Sequence, residues 1–181
     1  MVGGTLYTST SLSQVAAIDA VTGVTKWVFN PKVYQNGLAY PANFGWVHRG
    51  VTYWRSGEDE RVIILTAFAY MIALDAKTGI PVGSFGKNGW VDLAQGLRRP
   101  VDREYYTMTS PPVIVRDVIV VGSSVHDWWA HHPSPPGDVR GFDVRSGQQL
   151  WTFNTIPQAG EPGVETMARG RTAVTRTSGR R

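Results

Sequence analysis

The residues with the greatest chemical potential lie in one short stretch, GSSVHDWWAHHPSPPG, at residues 122–137. Three histidines and one aspartate leave a metal site, a cofactor pocket and an ordinary loop all open as interpretations. His131 and His132 are adjacent, and adjacent side chains point to opposite sides of an extended chain. A zinc site combining them with His48 and His126 is therefore disfavoured.

The elements that position this stretch are predicted to be short strands joined by tight turns. The chain has 181 residues, of which 42% are hydrophobic and 18% charged, with 20 glycines, 11 prolines and 7 tryptophans. This composition is typical of one globular domain, or part of a larger one, with many strands and turns. The sequence contains no convincing long helical period.

One pattern occurs three times along the chain. The copies are AIDAVTGVTKWVF from Ala17, ALDAKTGIPVGSF from Ala73 and GFDVRSGQQLWTF from Gly141. Each contains an aspartate followed four residues later by a glycine. In the first and third copies, Trp27 and Trp151 come four residues after that glycine, whereas the middle copy has Gly83 there.

The local chemistry of this pattern predicts a β-hairpin. The aspartate can accept hydrogen bonds from turn amides, and the glycine can adopt a positive φ that other residues resist. The second strand then carries the tryptophan, for which we expect a structural role between neighbouring sheets. Strand groups repeated every 40 to 70 residues, roughly, predict a propeller above other repeat architectures.

The charge of the chain is concentrated at its C-terminal end. The formal net charge is +4, but residues 167–181 contain five arginines and no acid, leaving 13 basic and 14 acidic residues before them. A nucleic-acid-binding face is therefore not expected. Residues 1–10 lack the features of a secretory signal, no apolar run is long enough to span a membrane, and the absence of cysteine leaves the redox compartment undetermined.

The last residues, 167–181, are predicted to be disordered. Four apolar side chains among fifteen residues bury too little surface to offset the entropy of ordering the chain. We expect a domain over residues 1–166 followed by a tail that reflects a reading-frame shift or a truncation. The alternative is a functional basic extension that docks on an anionic surface.

The repeated turn resembles the tryptophan-docking motif of quinoprotein dehydrogenases, eight-bladed propeller enzymes that use pyrroloquinoline quinone (PQQ). The segments HRGVTYW (48–54) and YTMTSPPVIVRDVIVVGSS (106–124) resemble segments of the same family. VRGFDVRSGQQLWTF (139–153) is especially similar to the membrane-bound glucose dehydrogenase type. The resemblance covers residues 4–166 and implies an all-β fold, a partial eight-bladed β-propeller of about three blades.

This resemblance also implies a cofactor site and a metal site. Arg49 and Thr109 match residues that contact the cofactor, and Asp127 matches an acidic ligand to Ca²⁺ or Mg²⁺. A guanidinium suits the carboxylates and quinone oxygens of PQQ, and a carboxylate suits a hard cation. Each residue also has an ordinary interpretation: a solvated turn arginine, a strand threonine and a turn-capping aspartate.

Three residues before the implied metal ligand complete the implied site. Ser124, Val125 and His126 match the segment whose backbone touches the cofactor. The chain departs from the family pattern at Gly45, where the glucose dehydrogenase type has a cofactor-contacting histidine. The family's catalytic aspartate lies in later blades, so we expect the 181-residue chain alone to have no dehydrogenase activity.

The activity implied for the parent protein is oxidation of a sugar or alcohol hydroxyl, with glucose as the favoured substrate. Electrons would pass to a respiratory acceptor, either a quinone or a cytochrome c. The implied location is the periplasm, with a membrane anchor possible elsewhere in the parent protein. The alternative is a non-catalytic propeller, such as the scaffold lipoproteins of outer-membrane assembly, which share the repeats.

Overall fold

The computed structural model describes residues 1–35, 46–125 and 134–167. In these ranges the chain consists of short antiparallel strands, and its helical residues form two single 3-10 turns, Val33–Gln35 and Val164–Thr166. The predicted all-β fold is confirmed. None of the described helices is long and apolar enough to cross a membrane. Residues 168–181 lie outside the described ranges, so the disorder of the tail stays a prediction.

Three main sheets follow one another along the chain. Sheet 1 contains β1–β3, sheet 2 contains β4–β7, and sheet 3 has the order β9-β10-β12-β13, while β8 and β11 form a small separate pair. The strands are β1 (Thr5–Ser9), β2 (Val15–Asp19), β3 (Thr25–Phe29), β4 (Thr52–Ser56), β5 (Asp59–Leu65), β6 (Tyr70–Asp75), β7 (Trp90–Asp92), β8 (Tyr106–Thr107), β9 (Val113–Val115), β10 (Val118–Val121), β11 (Ser124–Val125), β12 (Val139–Asp143) and β13 (Gln149–Phe153).

The repeated turn closes one end of each main sheet, as predicted. In sheet 2 the carboxylate of Asp75 accepts hydrogen bonds from the amides of Lys77 and Thr78 and from the Thr78 hydroxyl, at 2.8–3.1 Å. Gly79 follows with φ +73°, a conformation that disfavours any side chain. In sheet 1 the amide and hydroxyl of Thr22 lower the pKa of Asp19 to about 2.

Sheet 2 is the middle layer, and it is apolar on both faces. Alternate residues of a strand point to opposite faces. Val62 and Ile64 therefore pack in the cluster shared with sheet 1, while Ile63 and Leu65 pack in the cluster shared with sheet 3. We call these contacts joint 1–2 and joint 2–3. The four side chains are essentially inaccessible to solvent.

Sheet 3 contains a hairpin formed by one apolar segment of the sequence. The apolar run at residues 113–121 separates into β9 and β10, which pair with each other in antiparallel fashion. Arg116 occupies the turn with φ +56°. Its carbonyl accepts a hydrogen bond of 2.9 Å from Nε1 of Trp54, so the turn is fixed to sheet 2.

Candidate functional site

The candidate site lies at the end of sheet 2 opposite the repeated turn. β4 begins there, because Thr52 pairs with Ile63 near the end of β5, whereas Ser56 pairs with Asp59 near its start. The segment that carries Arg49 immediately precedes β4. This end of the sheet is therefore where the predicted cofactor residues are positioned.

His48 fixes the start of this segment to two sheets at once. Its Nε2 lies 2.5 Å from the carbonyl oxygen of Leu65, and its Nδ1 lies 2.7 Å from Oγ of Ser9. The carbonyl requires a donor, so Nε2 carries the proton and Nδ1 accepts from the Ser9 hydroxyl and from the Gly50 amide at 3.3 Å. Burial lowers the pKa of His48. The ring is a neutral connection between sheet 1 and sheet 2.

Arg49 is held by its backbone, and its side chain is exposed. The Arg49 amide donates a 3.0 Å hydrogen bond to the carbonyl oxygen of Thr109, which joins the segment to the chain that enters sheet 3. Gly50 follows with φ +122°, and Thr52 Oγ1 donates to the Pro112 carbonyl at 2.5 Å. In the described part of the chain, the guanidinium has no hydrogen-bond or ion-pair partner. Among the described residues it is thus a cation without a partner, on a backbone that is hydrogen-bonded to Thr109.

Thr109 and Ser124 are brought near each other by the small pair of strands. In β8 and β11, Thr107 pairs with Ser124 and Tyr106 pairs with Val125. Thr109 is two residues beyond Thr107 and is buried. The structure thus places Arg49 beside Thr109, and Thr109 close to β11, although 60 residues separate the first pair.

His126 and Asp127 lie outside the described residues. They directly follow β11, which ends at Val125. No group of three or more potential metal-ligating side chains occurs within residues 1–35, 46–125 and 134–167. The assignment of Asp127 as a metal ligand therefore stays a prediction.

Two buried hydroxyls at this site were not predicted from the sequence. Oγ1 of Thr107 and Oγ of Ser123 are buried and have no hydrogen-bond partner among the described residues. A buried polar group without a partner costs about 1–3 kcal/mol, and a bound ligand would remove that cost. The exposed Arg49 guanidinium and these two hydroxyls are thus polar groups without partners among the described residues.

A cavity of about 420 Å³ lies elsewhere, near the repeated turn, between sheets 1 and 2. Its aromatic lining is already engaged: the Tyr7 hydroxyl and Trp27 Nε1 both donate to the Ala76 carbonyl, and the Tyr53 hydroxyl donates to Glu60 at 2.6 Å. Burial, with help from Glu60, raises the pKa of Tyr53 to about 12. Because these polar groups already have hydrogen-bond partners within the protein, the cavity is a poorer candidate for a ligand site than the region around Arg49.

The chain matches a described protein family over nearly its whole length. A model of the family described as PQQ glucose/ethanol/alcohol dehydrogenase, β-propeller domain, matches residues 1–178. The chain is similar to the glycerol dehydrogenase large subunit of Gluconobacter thailandicus, with 34% identity over 163 residues. It is also similar to the quinoprotein glucose dehydrogenase of Escherichia coli (strain K12), with 31% identity over 172 residues.

These relatives are much longer than this chain. The two alignments cover 84% and 89% of the chain but 21% of each relative. Among solved structures, the fold is similar to that of quinohemoprotein alcohol dehydrogenase from Comamonas testosteroni, with a TM-score of 0.69 and 24% identity. That alignment covers 87% of this chain and 20% of the other. The chain thus spans about a fifth of the length of the proteins it resembles, and the predicted partial propeller is confirmed.

Proposed function

Since this chain belongs to the PQQ glucose/ethanol/alcohol dehydrogenase β-propeller family, we propose that it supplies part of the cofactor-binding wall of a PQQ-dependent dehydrogenase. One observation carries the proposal: the Arg49 amide donates to the Thr109 carbonyl, while the Arg49 guanidinium is exposed and has no partner in the described ranges. The hydroxyls of Thr107 and Ser123 are buried and also have no hydrogen-bond partner in those ranges. Cation and hydroxyl donors together match the oxygens of PQQ.

In the proposed reaction, PQQ supplies the two-electron acceptor for oxidation of a hydroxyl group. The role of this chain is to bind and orient that acceptor. Arg49 offers a forked set of donors to a carboxylate or carbonyl edge, and a charged donor forms the stronger type of hydrogen bond. Thr107 in β8 and Thr109, two residues after that strand, offer hydroxyl donors. The neutral His48 ring holds the backbone that carries Arg49.

The proposal also includes a metal ion next to the cofactor. We assign Asp127 as a ligand to Ca²⁺ or Mg²⁺ because it directly follows the segment Ser124, Val125 and His126, whose backbone we assign to the cofactor. A carboxylate oxygen is the ligand that these hard cations prefer. The remaining ligands would come from other parts of a longer polypeptide.

The proposed substrate is a sugar or alcohol, and glucose is the first to test because of the resemblance over residues 139–153. Glycerol is the second, since the glycerol dehydrogenase large subunit is 34% identical to this chain. The proposed acceptor is a respiratory quinone or a cytochrome c, in the periplasm. A non-catalytic scaffold remains the alternative, and it predicts no affinity for PQQ.

Binding of PQQ to the 181-residue chain tests the proposal without requiring turnover. Quenching of tryptophan fluorescence by PQQ, with Ca²⁺ present, would give the dissociation constant. We expect Arg49→Ala to weaken binding by about 10-fold or more, the effect of losing a charged hydrogen bond. Arg55→Ala is the matched control, because Arg55 is also exposed and lies at the other end of β4.

Two results would overturn this assignment. One is the absence of saturable PQQ binding by a chain that circular dichroism shows to be folded. The other is an equal loss of affinity in the Arg49 and Arg55 variants, which would mean that PQQ binds through general charge. A Thr107→Val variant extends the test to the unpartnered hydroxyl, and it should weaken PQQ binding without unfolding the chain.

A further inference from the structure

Two buried arginines bridge joint 2–3, one at each end. Near the repeated turn, Arg61 of sheet 2 donates hydrogen bonds to the carbonyl oxygens of Val144 and Arg145 in sheet 3, at 3.0 and 2.8 Å. At the end that carries the candidate site, Arg140 of sheet 3 crosses the joint in the opposite direction. Its side chain is among the largest that are fully buried in the described chain.

The Arg140 guanidinium joins three segments of the chain. Its Nη1 donates to the carbonyl oxygen of Gln95 at 2.9 Å, and its Nη2 donates to the carbonyl oxygen of Leu93 at 2.5 Å and to the Tyr106 hydroxyl at 3.1 Å. Leu93 and Gln95 follow β7 of sheet 2, whereas Tyr106 begins β8. A planar fork with five donors can serve several acceptors at once, which explains the choice of arginine.

The two arginines differ in how their charge is compensated. Arg61 makes two hydrogen bonds of 2.8 Å to the carboxylate of Asp59. Within the described ranges, Arg140 has no ion-pair partner, and its acceptors, which include the side-chain oxygen of Gln149 at 3.4 Å, are all neutral. A buried cation without an acidic partner is costly. A bridge that serves stability alone is therefore a poorer account of Arg140 than of Arg61.

The strand that Arg140 contacts needs an anchor outside its own sheet. β8 and β11 have two residues each and pair only with each other, and so short a pair is not stable by itself. Side chains of Tyr106 and Thr107 point to opposite faces of β8. The hydrogen bond from Arg140 fixes the Tyr106 face. On the other face lies the buried Thr107 hydroxyl, which has no described partner, and there Thr107 pairs with Ser124 of β11.

We propose that Arg140 is a positioning residue for the cofactor site: through the Tyr106 hydroxyl it holds β8 so that Thr107 and the paired Ser124 face the ligand. This inference rests on the proposed function, since it takes PQQ as that ligand. Arg140 does not itself need to touch the cofactor. Its influence on PQQ passes through Tyr106, so loss of the guanidinium and loss of the Tyr106 hydroxyl should have the same consequence.

The affinity of the 181-residue chain for PQQ, measured by tryptophan fluorescence quenching with Ca²⁺ present, tests this role. Arg140→Met removes the donors and keeps a long side chain, whereas Tyr106→Phe removes one hydroxyl and keeps the ring. Each should weaken PQQ binding by roughly 10-fold, as is typical when a group that orients a ligand-binding residue is lost. The double variant should bind as Arg140→Met does, because both substitutions break the same contact.

Arg61→Met is the matched control, because it removes the other arginine bridge of the same joint. This variant should lower the free energy of unfolding and should bind PQQ as the wild type does. An equal loss of PQQ affinity in the Arg61 and Arg140 variants would overturn the inference, since affinity would then follow the general stability of the joint. Wild-type affinity in Tyr106→Phe would also overturn it.

Backbone amide exchange, followed by mass spectrometry without PQQ, separates this inference from the proposed function. Arg140→Met and Tyr106→Phe should accelerate exchange in residues 106–109 and 122–125, whereas Arg61→Met should accelerate it in residues 143–147. Unchanged exchange at 106–109 in Arg140→Met overturns the inference, even where the wild type binds PQQ. Accelerated exchange there in a chain without saturable PQQ binding would instead overturn the proposed function and limit Arg140 to holding β8.

Discussion

The two joints of this molecule use the same glycine turn but cover it differently. In joint 1–2 the ring of Trp27 covers Gly79. In joint 2–3 the corresponding Gly147 is met by Val91 Cγ2 at 2.7 Å and by the Phe85 ring at 3.2 Å, both measured from the position of an added β-carbon. The amide of Gly86 also donates to the Ser146 carbonyl at 2.8 Å.

The comparison shows which part of the repeat the two joints have in common. Sheet 2 has Gly83 where the other copies have tryptophan, and residues 80–89 make a detour before β7. This detour brings the fully buried Phe85 to the turn of the next sheet. Both joints have a glycine in the turn. The side chain that covers this glycine differs, because Trp27 covers it in joint 1–2 and Phe85 and Val91 cover it in joint 2–3.

The largest effect is expected from Phe85→Ala, which removes the cover of joint 2–3. Phe85 is completely buried, and truncating a buried phenylalanine costs about 3–5 kcal/mol. Urea denaturation monitored by tryptophan fluorescence would measure this loss of unfolding free energy. A loss below about 1 kcal/mol would mean that joint 2–3 does not depend on this ring.

A smaller effect is expected from Trp27→Ala in joint 1–2. Trp27 is only partly buried, so its truncation should cost about 2 kcal/mol, less than that of a core aromatic. Trp151→Ala is the control, because Trp151 is 41% exposed whereas Trp27 is partly buried against sheet 2. Equal losses in the two variants would contradict the docking role of Trp27.

Gly79→Ala and Gly23→Ala separate the contact from the strain of the turn. Both glycines have φ near +74°, so an alanine adds the same backbone strain of about 1–2 kcal/mol at each. Only the alanine at position 79 also collides with the Trp27 ring, for which we expect a further 1–3 kcal/mol, roughly. The difference between the two losses of unfolding free energy measures the effect of the close contact between Trp27 and residue 79. A difference of zero would mean that this contact does not affect stability.

The smallest effect concerns His48, which ties sheets 1 and 2 together at the end opposite Trp27. Its pKa is lowered by burial in the folded protein, so between the ordinary value of 6.5 and the folded value the unfolded chain binds more protons. The stability from neutral His48 is therefore complete above pH 6.5 and is lost as the pH falls below it. The slope is at most about 1.4 kcal/mol per pH unit.

Unfolding free energies at several values between pH 5 and pH 8 check this expectation. The His48→Gln variant should be less stable at neutral pH and should have a flatter profile below pH 6.5. Among its described residues, joint 2–3 has no histidine, so an unchanged slope in this variant would assign the pH dependence to other groups.

The sequence predicted the turns because their contacts are local. Asp19 and Gly23 lie four residues apart, and the hydrogen bonds that build the turn stay within that span. The cover of Gly147 was unpredictable for the opposite reason. It comes from Phe85, 62 positions earlier, after a detour that no short pattern encodes.

The candidate site likewise contains some residues that the sequence indicated and others that only the structure reveals. The resemblance to a family predicts that Arg49 and Thr109 contact one cofactor. A backbone hydrogen bond brings the two residues together, and their contact with a cofactor stays a prediction. Thr107 and Ser123 were missed, because an unsatisfied hydroxyl is recognisable only once its neighbours are known. His48, which the sequence offered only for a disfavoured zinc site, directs its ring to Ser9 and Leu65.

The apolar run of β5 has a consequence for how the strand finds its alignment. Because Val62 to Leu65 are all aliphatic, a shift by one residue would leave both faces of sheet 2 hydrophobic, so hydrophobicity alone cannot position the strand. The polar residues at its start supply the missing information. Glu60 accepts from Tyr53 on one face, while Arg61 donates to the carbonyls of Val144 and Arg145 on the other. A shift of the strand by one residue would move each of these two residues to the opposite face. The charged residues Glu60 and Arg61 therefore set the register of β5.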